Sequence, residues 1–141
     1  MPGDKIFVDT NIFVYAYDVS AAEKHKIANK TVADLWNSGS GVLSTQVLQE
    51  LLVTITRKIP KPVDIDLAKE IVGDLLKWNV VVNDGESILG AIEIHKRYKY
   101  SFWDSMIIEA ALKGRCDILL SEDLAEVQVG SVIIQNPFKR L

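Results

Sequence analysis

The chemistry legible in this chain lies in acids placed at the ends of short apolar runs. Ile6-Phe7-Val8 leads into Asp9-Thr10-Asn11, and Ile118-Leu119-Leu120 into Ser121-Glu122-Asp123. Val42-Leu43-Ser44 precedes a helical stretch that carries Glu50. β-Branched and aromatic residues in runs this short suit covered strands. Ligands of open α/β sheets bind outside the carboxyl ends of such strands. Asp9 and the Ser121-to-Asp123 tip are therefore expected at one sheet edge. Asp104 joins them by a different route. Ser101 to Leu112 is apolar nearly all the way round, the mark of a buried helix, and it immediately precedes the strand at 118. Packed antiparallel on that strand, its first turn lies beside the strand's carboxyl end. Glu50 sits about five residues into its helix, roughly 7 Å along the axis, on the flank of the apolar stripe. Periodicity alone does not aim it inward, and a solvated acid is equally natural there. Structural roles compete at the other positions too: Asp9, Thr10 and Asn11 are good helix caps, and Ser101-x-x-Asp104 resembles a capping box.

Carboxylates gathered in one crevice repel, and each pKa rises unless something positive sits among them. A set of hard oxygen donors suits Mg²⁺ or Mn²⁺. Such an ion makes bound water nucleophilic and neutralises charge on a phosphoryl transition state. The chemistry suggested is hydrolysis of a phosphate ester.

The elements that must position these acids alternate strand with helix. Strands are predicted at 6–8, 42–44, 80–82, 118–120 and 132–134. Between them come a short apolar helix or turn at 12–17 and amphipathic helices at 23–37, from Ser44 or Thr45 to Ile59, 64–78, 86–96 and 101–114. Ile27, Val32, Leu35 and Trp36 are expected to face the core, as are Val47, Leu48, Leu51, Leu52 and Ile55. This order predicts an α/β fold with a parallel sheet of four to five strands covered on both faces. With 141 residues, 48% hydrophobic and 25% charged, residues 1–141 are expected to form one domain. No signal-peptide core follows Met1-Pro2-Gly3-Asp4-Lys5, and no run of roughly 20 apolar residues could span a membrane. The single cysteine, Cys116, excludes an internal disulfide and a cysteine-rich zinc site, and a reducing, cytoplasmic setting is expected. The net charge of −3, from 16 basic and 19 acidic residues, rules out a polycation. A nucleic-acid partner would need a local basic patch.

Four stretches, in order and spanning nearly the whole chain, resemble the PIN-domain ribonucleases, particularly the VapC-type toxins of toxin–antitoxin pairs. They are Phe7-Val8-Asp9-Thr10-Asn11, Leu43-Ser44-Thr45-Gln46-Val47-Leu48-Gln49-Glu50, Ser101-Phe102-Trp103-Asp104 and Leu120-Ser121-Glu122-Asp123-Leu124. The resemblance implies a three-layer α/β/α fold and ligation of Mg²⁺ or Mn²⁺ by Asp9, Glu50, Asp104 and Asp123. Thr10, Asn11 and Ser121 would support those acids. It also implies an RNA substrate, a homodimer and an antitoxin peptide or protein as partner.

His95-Lys96-Arg97-Tyr98-Lys99-Tyr100 interleaves bases with aromatics. Lys96, Arg97 and Lys99 are expected to hold phosphates, and Tyr98 or Tyr100 to stack on an unpaired base. The competing role is a helix C-terminus whose cations offset its dipole. Arg57, Lys58 and Lys61 read as a solvated group, and Lys139-Arg140 as a frayed tail or a dimer contact. Asp84 reads as turn and helix start, Glu122 is ambiguous, and Glu109 is expected to pair with a base. Neither His25 nor His95 has the companions for nucleophilic or zinc chemistry. Two other functions are open to the chain. One is a phosphatase with Asp9 as nucleophile, weakened because Asn11 stands where such enzymes carry a second acid. The other is an RNA- or partner-binding module without turnover.

Overall fold

The computed structural model describes residues 4–139. Strand β1 (Ile6–Val8) runs down the middle of the sheet, with Phe7 and Val8 fully buried because helices cover both faces. The chain then passes through α1 (Thr10–Tyr17), a 3-10 turn at Val19–Ala21 and α2 (Glu23–Ser38). From β2 (Gly41–Ser44) it continues through α3 (Thr45–Arg57) and α4 (Ile65–Leu75) to β3 (Asn79–Val81). Helices α5 (Gly85–Tyr98) and α6 (Phe102–Lys113) lead to β4 (Ile118–Leu120), β5 (Gln128–Val129) and β6 (Val132–Gln135).

The strand order is β3-β2-β1-β4-β6-β5, parallel except for the β5–β6 pair. The first crossovers build outward from β1 on one side and the later ones on the other. The order reverses at β1, the place where such sheets open a crevice at their carboxyl edge. Register then fixes the neighbours. Val8 pairs with Leu120, so Asp9 and Ser121 leave the sheet side by side, and the Asp9 amide donates to the Leu120 carbonyl at 3.0 Å.

The α/β class, the five parallel strands and the helices are as expected from the sequence. The two-residue antiparallel β5 is additional, too short to leave a periodic signal. Strand β3 lies one residue earlier than predicted, and Val82 is left outside it and exposed. Trp36 departs from its expected core position: it is 43% exposed, resting on Trp78 with ring centroids 6.1 Å apart. Cys116 is buried, as its place beside β4 implied, and burial pushes its thiol up to about 12. Arg140 lies outside the described residues, while Lys139 pairs with Glu126 at 2.9 Å. Among the described residues no helix is long and apolar enough to cross a membrane.

Candidate active site

Asp9 is the N-cap of α1, so capping and site placement coincide in one residue. One carboxylate oxygen accepts from the Thr10 amide at 2.7 Å, and the other from Ser121 Oγ at 2.8 Å. The side chain is only 7% exposed. Burial raises its pKa to about 6. The two hydrogen bonds pull the other way, and the charges of Glu50 and Asp104 push it further up.

The first turn of α1 arranges the other carboxylates. Thr10 Oγ1 donates to Glu50 Oε1 at 2.7 Å, and Asn11 Nδ2 to Asp123 Oδ2 at 3.1 Å. Asn11 also accepts, through Oδ1, from the Glu122 amide at 3.2 Å, fastening α1 to the loop after β4. Glu50 is the acid that periodicity left undecided. It faces the crevice because Thr10 holds one oxygen and Gln46, a turn earlier on α3, approaches the other at 3.4 Å. Gln46 bridges to α6 as well, donating to the Trp103 carbonyl at 3.2 Å.

Asp104 stands in the first turn of α6, which packs on β2 and β4. Ser101 Oγ accepts from the Asp104 amide at 3.1 Å, but the reciprocal half of a capping box is absent. In α5 the box is complete, between Asp84 and Ser87. The Asp104 carboxylate makes no hydrogen bond or ion pair among the described residues and is left to the crevice.

Asp9, Glu50, Asp104 and Asp123 line one cavity of about 640 Å³. Its walls include Thr10, Asn11, Val14, Tyr15, Gln46, Val53, Trp103 and Ile107, with Lys58 at the far end of α3. Among the described residues, no group of three or more His, Cys, Asp or Glu side chains is disposed to hold a metal ion. A cation of the Mg²⁺ kind does not require such a group, since it keeps several waters and binds through one or two carboxylates. The donor chemistry fits: all oxygen, one carboxylate destabilised chiefly by its burial and further by its neighbours' charge.

Other predicted residues fall elsewhere. None of Lys96, Arg97, Tyr98, Lys99 and Tyr100 lines the cavity. Lys96 approaches Glu93 at 3.7 Å, Arg97 lies over the Tyr98 ring, and Lys99 ends α5 in a left-handed conformation. Tyr100 feels the site electrostatically: its hydroxyl pKa is raised chiefly by burial and also by the charge of Asp104. Asp84 is the N-cap of α5 and pairs with Lys113 at 3.1 Å. Its pKa falls to about 2, chiefly through the Ser87 amide. Glu122 turns away from the other acids, toward the Tyr15 hydroxyl at 2.6 Å and Lys24 at 2.5 Å. Glu109 has no ion pair among the described residues; it packs against Gly90 of α5, and burial raises its pKa. Tyr15, Gln46 and Lys58 were missed as wall residues. Only the four-residue spacing of Asn11 and Tyr15, and of Gln46 and Glu50, could have signalled two of them.

A family model described as PIN domain matches residues 6–128. No curated protein sequence matches the chain. Among solved structures, a toxin–antitoxin complex from Klebsiella pneumoniae superposes with a TM-score of 0.68 at 17% identity, covering 96% of this chain and 98% of that one. VapBC2 from Rickettsia felis, bound to a DNA fragment from its promoter, gives 0.63 at 16% identity, covering 93% and 97%. VapC20 of Mycobacterium tuberculosis, a toxin that cleaves the sarcin–ricin loop, gives 0.60 at 19% identity, covering 82% and 87%. The fold and the family match agree: this chain belongs to the PIN domain family, and its structural neighbours are VapC toxins of VapBC toxin–antitoxin systems.

Proposed function

We propose that this protein is a metal-dependent endoribonuclease that hydrolyses single-stranded or looped RNA, and that it is the toxin of a toxin–antitoxin pair. The observation that carries the reading is the meeting of four acids, from four separate elements, around one cavity at the carboxyl edge of the sheet. Mg²⁺ or Mn²⁺, held by Asp9, Glu50, Asp104 and Asp123, would supply an activated water and charge neutralisation at the phosphate. In-line attack leaves a 5′-phosphate and a 3′-hydroxyl.

The chain's own groups fix the donors. Ser121 and the Thr10 amide hold both oxygens of Asp9. Thr10 and Asn11 set Glu50 and Asp123. The apolar side chains of Val53 and Ile107 line the same cavity beside these donors. The resemblance to VapBC complexes supports an antitoxin as partner, and the exposed Ile88, Leu89 and Ile92 of α5 suit a homodimer contact. A reducing cytoplasm fits a protein whose single cysteine is a buried thiol.

The test is cleavage of RNA by purified protein. Hydrolysis is expected only with Mg²⁺ or Mn²⁺, and is lost in Asp9→Asn and Asp104→Asn while both variants stay folded. Induced expression should arrest growth with the native chain and not with Asp104→Asn. Undiminished cleavage in excess chelator rejects the proposal, and RNA binding without cleavage of any substrate leaves a binding module in its place.

A further inference from the structure

The cavity is divided by chemistry. Its acids sit at the sheet edge, but the wall beyond them contains a large aromatic ring that the fold leaves uncovered: Trp103 is 64% exposed, directly before Asp104. An indole left in water is unfavourable unless something covers it. Phe102 meets it edge-to-face at 5.2 Å, and its carbonyl is bonded to Gln46 of α3. Lys58 is the one cation lining the cavity, with no ion pair among the described residues. It stands eight residues beyond Glu50 on α3, roughly 12 Å along the axis. Among the described residues it makes no ion pair with any of the four acids. It is available to another anion.

We propose that Trp103 and Lys58 form a nucleotide-holding subsite, in which an unpaired base stacks on the Trp103 indole and Lys58 takes a phosphate further along the strand. The chemistry that matches a flat uncovered ring and a distant cation is a single strand, since a paired base has no free face to stack. A basic peptide would suit the acids but would be repelled by Lys58. The subsite rests on the nuclease reading of the same cavity, and it places base recognition at the first turn of α6 instead of the Lys96-to-Tyr100 stretch.

The test uses short single-stranded oligoribonucleotides with 2-aminopurine at each position in turn, mixed with the full chain in Mg²⁺ by stopped flow so that stacking is read before turnover. Quenching at one position is expected for the native chain, lost in Trp103→Ala and kept in Trp103→Phe. In steady-state cleavage, Trp103→Ala should raise KM roughly 10- to 100-fold, with little change in kcat. Lys58→Ala should lower the salt dependence of binding by about one phosphate contact, and Lys58→Arg should restore it. Hydrolysis of bis(4-nitrophenyl) phosphate, a diester without a base, is expected of the native chain and is lost in Asp104→Asn, which reads the nuclease apart from base stacking. Circular dichroism and melting confirm the fold of each variant. Unchanged quenching and KM in Trp103→Ala overturn the subsite while leaving the nuclease intact. Trp103-dependent quenching without hydrolysis of either substrate rejects the nuclease and upholds the subsite. A basic peptide that covers Trp103 where RNA does not would assign the ring to a protein partner and overturn the proposal.

Discussion

Asp9 concentrates the electrostatic tension of the site. Its carboxyl is raised from an ordinary 3.8 to about 6, with burial as the main cause. A group whose folded pKa lies above its unfolded value favours the folded state while protonated. That contribution is fully present below about pH 4 and is lost as pH rises through 6. The displacement corresponds to about 3 kcal/mol. Metal-free Asp9→Asn is therefore expected to be more stable than the native chain above pH 6, with the difference shrinking toward zero near pH 4. Urea melts at pH 4 and pH 7.5 measure this; a gap independent of pH would show that burial of the charge is not its source. Added Mn²⁺ should raise the melting temperature of the native chain and leave that of the variant in place. Ser121 touches Asp9 alone among the acids. Ser121→Ala is expected to lower Mn²⁺ affinity and RNA cleavage by roughly 10- to 100-fold, the range found when a group orienting a metal ligand is removed. Titration calorimetry and kcat together check this.

At the scale of elements, the site depends on where helices begin. Ser101 starts α6 by accepting from the Asp104 amide, so the cap fixes the backbone of the residue it precedes. Ser101→Ala should cost about 1 kcal/mol of stability by chemical denaturation, the usual value for a lost cap. The other vulnerable join is between β2 and the turn leading into β3. A Cβ on Gly41 would come within 2.2 Å of the Trp78 ring, and that ring is wedged between Phe13 and Trp36. Gly41→Ala is expected to destabilise the chain by about 1–3 kcal/mol through overpacking, with a drop in melting temperature as the readout. Near-native melting would mean that Trp78 can swing into the solvent-facing groove beside Lys77.

For the molecule as a whole, the sheet edge that gathers acids is set off against helix faces that leave apolar surface uncovered. Helix α5 exposes Ile88, Leu89 and Ile92, at positions i, i+1 and i+4 and so on one side, with Val82 just ahead of it. In the proposed homodimer this face is covered. Leu89→Glu should convert the dimer to a monomer in sedimentation velocity without changing the far-ultraviolet circular dichroism. Dimerisation undisturbed by a charge at this position would move the contact elsewhere.

The sequence by itself determined the alternation of strand and helix, the acids at the ends of β1 and β4, and the burial of α6 that carries Asp104 to the same edge. These follow from local period and from connection order, both of which a chain displays without being folded. Only the tertiary structure decided the inward direction of Glu50, because that rests on the hydroxyl of Thr10, 40 residues away in the chain and without a periodic signature. It also turned Glu122 toward Lys24 and left the Lys96-to-Tyr100 stretch off the cavity wall, in favour of Trp103 and Lys58. Which side of a helix meets a distant element depends on packing angle and register. Those are settled only when separate layers close on one another.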